Sequence, residues 1–139
     1  MTGDAIAALV SRFGLKPPEP YDQDWEICVE VPLETVPHML EDLERAELDQ
    51  DVRYTIGAVL LARFDDLFSI GYAWSVADIE LRDVFWPRFV RALRSHHRLF
   101  RPEIERWSCA EATCEDEEFS ISPHLRLAMA VTSTSLHRD

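Results

Sequence analysis

The chain has 139 residues, 47% of them hydrophobic, and a formal net charge of −12 at pH 7. This apolar fraction is typical of a folded domain and excludes a disordered acidic tail. No apolar run approaches the roughly 20 residues of a membrane-spanning helix, and the N-terminus lacks the basic region of a signal peptide. We therefore expect one cytoplasmic domain over residues 1–139, whose charge disfavours nucleic acid and anionic membranes as partners.

The first quarter of the chain contains one predicted helix, one loop and one predicted strand. Residues 4–13 have helical periodicity, and Gly14 is typical of the end of a helix. Three prolines in residues 16–24 predict a loop. Residues 25–31 alternate between apolar and polar side chains, which predicts a half-buried strand, or extended coil if no partner strand pairs with it.

From residue 35 onward, the spacing of the apolar side chains becomes that of an amphipathic helix. Thr35 before Pro37 is a helix-start arrangement, and apolar residues then recur every three or four positions as far as Ala46. The sequence Asp-Gln-Asp at residues 49–51 either ends this helix or caps a second one. That second helix is predicted over residues 50–68, and its two apolar flanks indicate a central position in a helical bundle.

Helical periodicity resumes in the arginine-rich part of the chain. Residues 80–100 predict a helix that Pro87 should kink or restart, because proline removes a backbone donor. Pro102 then ends this helix and opens a short one through Trp107. We expect Trp86 and Trp107 to lie in the core, because both belong to periodic segments.

The last predicted helix follows an acidic loop. Residues 111–118 hold five acids and no base. Ser122 before Pro123 has the cap and first-turn signature of a helix over residues 123–131. The chain as a whole therefore predicts a mainly α, single-domain helical bundle of five or six helices with at most one short β element.

Charge is distributed unevenly along the chain. Residues 1–66 carry 15 Asp and Glu against 5 Lys and Arg, a net of −10, whereas residues 82–106 carry 7 Arg against 3 acids, a net of +4. Pairing of this arginine-rich segment with the acidic helix 35–51 is its simplest explanation, because the overall charge argues against nucleic acid. The acidic helix presents a face suited to a basic protein: Glu41, Asp42, Glu44, Glu47, Asp49 and Asp51. The loop 111–118 is a second candidate.

The sequence contains no catalytic, cofactor-binding or phosphate-binding motif. Cys28, Cys109 and Cys114 are an odd number, and their spacing is not that of common zinc sites. We therefore expect no metal and no cofactor. His96 lies on the apolar stripe of its helix and His97 does not, so we expect one packed histidine and one surface histidine.

Two segments carry a resemblance to a known class of protein. The helix LLARFDDLF at residues 60–68 precedes WPRFVRALRSHHRLFRPEIERW at residues 86–107. This combination resembles small immunity proteins of bacterial polymorphic or contact-dependent toxin systems. The resemblance implies an inhibitor that binds a cognate toxin and has no activity of its own, and it assigns no site residues.

The leading hypothesis is a non-enzymatic binding module that occludes a basic partner, a cognate toxin, through its acidic face. Trp25 or Trp74 would be its apolar anchor, because each lies in an irregular segment. One alternative is an adaptor subunit of a larger bacterial assembly, and the oligomeric state stays open. The other is a small ligand-binding or metal-binding domain, or an enzyme, with a pocket formed by His96, His97 and Arg94 or Arg98.

Overall fold

The computed structural model describes residues 3–15, 31–69, 74–109 and 119–138, with side chains as far as residue 130. Every regular element in these ranges is helical: α1 spans Gly3–Phe13, a short 3-10 helix spans Leu33–Thr35, α2 spans Val36–Leu43, α3 spans Gln50–Phe68, α4 spans Val76–Ser95, α5 spans His97–Ser108 and α6 spans Ser122–Arg138. The predicted mainly α helical bundle is therefore confirmed. Residues 25–30 of the predicted strand and the acidic loop 111–118 lie outside the described residues.

The chain divides into two compact units, Met1–Arg63 and Phe64–Asp139, and the division falls inside α3. In the part of the chain that the structure describes, no helix is long and apolar enough to cross a membrane. A single domain over residues 1–139 and a cytoplasmic location stay predictions.

Gly14 ends α1 as the sequence predicts. Its φ of 65° is left-handed, a conformation that glycine adopts without steric cost. The Leu15 N–H donates to the Val10 carbonyl at 3.1 Å, so one of the last carbonyls of the helix is satisfied by the chain that leaves it. The apolar stripe of α1 is buried through Ala5, Ile6 and Leu9.

The helix α2 begins where predicted but ends earlier. The predicted stripe is buried at Val36, Met39, Leu40 and Leu43. The expectation that the helix continues to Ala46 is wrong, because α2 ends at Leu43 and Ala46 is exposed. The physical reason is a distant side chain: the Arg53 guanidinium donates to the Leu43 carbonyl at 2.6 Å and to the Arg45 carbonyl at 2.7 Å. These carbonyls therefore have a partner other than the next turn of a helix.

The predicted bounds of the central helix, residues 50–68, are confirmed by α3. Asp49 caps it, because its Oδ1 accepts hydrogen bonds from the Asp51 N–H at 3.0 Å and the Val52 N–H at 3.2 Å. From Thr55 to Phe64 every residue of α3 is buried. This burial agrees with the two apolar flanks in the sequence, and the predicted central position of the helix in the bundle stays a prediction.

The arginine-rich segment folds as two helices whose division differs from the predicted one. Ser75 and Asp78 form a capping box, in which the Asp78 N–H donates to Ser75 Oγ at 3.1 Å, and α4 therefore begins at Val76. Pro87 was predicted to kink or restart the helix; the restart is wrong, because α4 continues through this residue. Proline has no N–H to donate to the carbonyl of Asp83, four residues earlier. Both residues are exposed, so solvent can satisfy that carbonyl.

The division between the two helices lies at His96, whose φ of −122° and ψ of 40° are not helical. A helix over 80–100 and a new one opened by Pro102 are therefore wrong, since α5 begins at His97 and contains Pro102 in its interior. His96 is half-buried at this junction rather than packed in the core, whereas His97 is exposed as expected.

Ser122 is buried and connects the start of α6 to the end of α5. Its Oγ donates to the Trp107 carbonyl at 2.7 Å and accepts from the Phe119 N–H at 3.0 Å. The Ile121 N–H next to it donates to Asp65 Oδ1 at 3.0 Å. Ser122 is thus the first residue of α6 rather than its cap, and α6 extends beyond the predicted 123–131 to Arg138.

An aromatic cluster forms the core of the second unit. Phe64 stacks on Phe89 with ring centroids 5.2 Å apart, and Trp86 meets Phe64 edge-on at 5.3 Å and Phe68 at 5.1 Å. Such pairs add to the free energy gained by burying the rings. Phe64 and Phe89 are fully buried, whereas Trp86 and Trp107 are only half-buried, so both tryptophans lie at the edge of the core and not inside it.

Candidate binding surfaces

Five of the six acidic residues predicted to face a partner are exposed to solvent. They form what we call the acidic surface: Glu41, Glu44, Glu47, Asp49 and Asp51. These residues span the end of α2, the connection to α3 and the first turn of α3. Because the connection is not helical, the predicted continuous acidic helix face is replaced by an acidic segment that runs from α2 through the connection into α3.

Asp42 does not belong to this surface. It is 4% exposed, and its carboxylate binds the Arg12 guanidinium through both oxygens, with Arg45 Nη1 3.8 Å away. The hydrogen bonds to Asp42, and then its charge, raise the pKa of Arg12. Asp42 lies three residues after the buried Met39, and this helical spacing is the sequence signal that could have identified it as an inner residue of α2. The prediction that Asp42 belongs to the partner-binding face is therefore wrong, because its side chain is buried.

Arg53 hydrogen-bonds the backbone of the segment that carries the acidic surface. Its side chain is almost fully buried, at 1% exposure, and it bonds the carbonyls of Leu43 and Arg45. Burial lowers the pKa of this guanidinium. The residue interrupts the apolar pattern of α3, and sequence periodicity alone did not single it out. Its effect is to set the conformation of the segment that carries Glu44 and Glu47.

A groove of about 630 Å³ adjoins the acidic surface at Glu41. It is lined by Arg12, Phe13, Glu34, Thr35, His38, Glu41 and Asp42. Glu34, His38 and Glu41 are exposed, whereas Arg12 and Asp42 are occupied with each other. The groove therefore offers two exposed carboxylates to a basic side chain.

The tryptophans predicted as apolar anchors differ in what the structure says of them. Trp25 lies outside the described residues. Trp74 is half-buried and directly precedes Ser75, the residue that caps α4. A role of either tryptophan in partner contact stays a prediction.

The predicted pocket of histidines and arginines is not formed as expected. Arg94 lines a groove of about 430 Å³ between α4 and α6, but the histidine that lines it is His124, not His96 or His97. His97 and Arg98 are exposed at the start of α5. His124 was not among the residues predicted for this pocket, because the side chains around it come from other helices.

His124 stacks on Phe68 with ring centroids 3.9 Å apart and an interplanar angle of 14°. On the same ring, the Arg82 guanidinium carbon lies 5.4 Å from the centroid. Burial, and then the positive charge of Arg82, lower the pKa of His124. Both effects favour the neutral form of this histidine.

We expect this histidine to make the folding stability depend on pH. Because its pKa is lower in the folded state, the unfolded chain binds more protons, and stability is lost as pH falls below about 6.5. The charge that disfavours its protonation is that of Arg82, and Arg91 and Arg94 of α4 line the same groove as His124. Urea midpoints at about pH 7.5 and about pH 5.5 should differ less in His124→Asn than in the wild type. An equal difference in both proteins would assign the effect to other groups.

Metal ligands do not converge in the described ranges, where no group of three or more His, Cys, Asp or Glu side chains could hold a metal ion. Cys109 is half-buried with a left-handed φ of 47°, and Cys28 and Cys114 lie outside the described residues. The absence of a metal and of a cofactor stays a prediction. Comparisons of the chain with protein-family models, with curated proteins and with solved structures gave no significant match.

Proposed function

We propose that this protein is a non-enzymatic binding module that captures a basic protein through its acidic surface. The observation that carries the proposal is the combination of exposed carboxylates with a hydrogen-bonded backbone support. Asp49 caps α3, and the buried Arg53 bonds the backbone on the other side of the connection. A charged surface that is already ordered loses little conformational entropy when a partner binds.

The local charge balance supports the same proposal. Arg45 is the only base between residues 41 and 51, and its guanidinium lies 3.8 Å from the buried Asp42. Residues 41–51 therefore carry six acids against one base, and five of those acids are exposed. The field of such a charge accelerates encounter with a basic surface and disfavours acidic partners.

The finer proposal is an immunity-type inhibitor that occludes the site of a cognate toxin. It rests on the resemblance of residues 60–68 and 86–107 to immunity proteins and on the charge of the acidic surface. A toxin that acts on an anionic substrate has a basic cleft, and the charge of the acidic surface is complementary to it. Trp25 or Trp74 would add apolar contact area at the edge of such an interface.

Charge reversal on the acidic surface is the test. We expect Glu44→Lys with Glu47→Lys to slow association roughly tenfold at low ionic strength and to weaken its dependence on salt, because long-range attraction sets the association rate. The partner is first isolated with the tagged wild-type protein from a lysate of the source organism, washed across a salt series and identified by mass spectrometry. Association rates of the purified pair are then measured at several salt concentrations.

A matched control carries the same change of net charge elsewhere. Glu80→Lys with Glu105→Lys replaces two exposed carboxylates of α4 and α5. This variant should associate at nearly the wild-type rate. If both double variants slow association equally, net charge and not the acidic surface governs binding, and the proposed surface is wrong. Inhibition of the partner's activity by the wild-type protein tests the finer proposal.

A further inference from the structure

The groove between α4 and α6 has a different chemistry from the acidic surface. It is lined by Trp86, Pro87, Val90, Arg91, Arg94, His124, Leu127 and Ala128. Five of these residues are apolar and none is acidic. The groove thus combines an apolar floor with positive charge in a chain whose net charge is −12.

The positive charge comes from two arginines on one side of the groove. Arg91 and Arg94 are three residues apart on α4, so their side chains lie on the same face of the helix, and both are exposed. Other arginines have carboxylate partners: Arg82 pairs with Asp83 at 3.0 Å and Arg101 with Glu105 at 3.0 Å. Among the described residues, neither Arg91 nor Arg94 has such a partner.

The apolar part of the groove is open to solvent. Leu127 is 69% exposed, although it lies beside Trp86 and Val90 in the same groove. A large exposed aliphatic side chain next to an aromatic ring leaves apolar area that a ligand could cover. From residue 86 to residue 94 the α4 wall is about 12 Å long, at the helical rise of about 1.5 Å per residue. A groove of about 430 Å³ falls in the range of sites for small molecules.

We infer that this groove binds an amphipathic organic anion, a carboxylate on an unbranched apolar body of about 12 Å or less. The apolar body would lie along Trp86 and Leu127, and the carboxylate would accept charge-assisted hydrogen bonds from Arg91 and Arg94. His124 is the remaining polar residue of the groove, and it carries no negative charge that would repel the ligand. This inference does not rest on the proposed function, because it uses other residues and the opposite charge.

The test compares three probes with the same tail. Octanoate, 1-octanol and octyltrimethylammonium are titrated separately into the ¹⁵N-labelled full chain, and amide shifts are followed by NMR. We expect octanoate to shift the amides of residues 86–94 and 124–128. Its affinity should be at least roughly fivefold higher than that of octanol, and its advantage over octyltrimethylammonium should be larger than its advantage over octanol.

Two double variants locate the charge. Arg91→Glu with Arg94→Glu should weaken octanoate binding roughly tenfold, because two attractive charges become repulsive. Arg98→Glu with Arg101→Glu makes the same change in net charge on α5, outside the groove, and should leave binding nearly unchanged. All four arginines are exposed, so both variants are expected to fold, and circular dichroism checks this.

Each remaining outcome overturns the inference. Equal binding of all three probes would show a purely apolar patch without selection for an anion. Equal weakening by both double variants would show that net charge alone acts. Octanoate that leaves the amides of residues 86–94 and 124–128 unshifted would show that the groove is not a site for a small organic anion.

Discussion

Replacing Arg53 with methionine is expected to lower the free energy of unfolding by about 3 kcal/mol. Methionine fills a similar volume, so the cost arises chiefly from the hydrogen bonds and not from a cavity. Arg53 is almost fully buried and donates to the carbonyls of Leu43 and Arg45. Without it these carbonyls lose their donor at the end of α2, and urea denaturation of the purified protein measures the loss.

Arg45→Met is the matched control, because it removes the same kind of side chain from an exposed position. The Arg45 guanidinium lies 3.8 Å from Asp42 and its side chain is 59% exposed. Its replacement should change stability by less than about 0.5 kcal/mol. A loss below about 1 kcal/mol for Arg53→Met would mean that solvent satisfies the same carbonyls. The proposed support of the acidic surface would then be wrong.

Truncation of Phe64 to alanine is expected to have the largest effect of all, about 4 kcal/mol of unfolding free energy. The ring is fully buried, stacks on Phe89 at an interplanar angle of 11° and receives the edge of Trp86. Its removal leaves a cavity and ends both aromatic contacts. Thermal and urea unfolding of the variant measure the loss.

Phe64→Leu separates burial from aromatic contact. Leucine fills much of the same space, so we expect a loss of only about 1.5 kcal/mol. Equal losses for leucine and alanine would show that the aromatic geometry, and not the filled volume, dominates. A small loss for alanine would show that the cluster can close around the missing ring.

Local patterns were sufficient where a helix depends on its own residues. The bounds of α3 followed from the apolar repeat and from Asp49, whose carboxylate bonds the first N–H groups of that helix. Gly14 ended α1 through its own left-handed backbone. In each case the deciding contacts lie within a few residues of one another, so the sequence alone indicated them.

The candidate sites were predictable only in part, because exposure depends on what packs against a helix. Five acids of the predicted face are exposed. Asp42 is buried, and its carboxylate pairs with Arg12, which lies 30 residues earlier in the chain. His96 was expected to pack on an apolar stripe, yet α4 ends before it. His124 lines a groove, but the predicted pocket did not include it.

By itself the sequence determined the helical class, the apolar stripes and the acidic character of residues 41–51. These properties follow from side-chain period and charge, which are local. Only the tertiary structure decided where α2 ends, which acid is buried and where Arg91 and Arg94 meet an apolar groove. Those features depend on side chains distant in sequence: Arg53 lies 10 residues after Leu43, and Ser122 lies 15 residues after Trp107. A buried carbonyl or carboxylate needs a hydrogen-bond donor, and the fold determines which residue supplies it. The local sequence pattern does not indicate a donor that is distant in sequence.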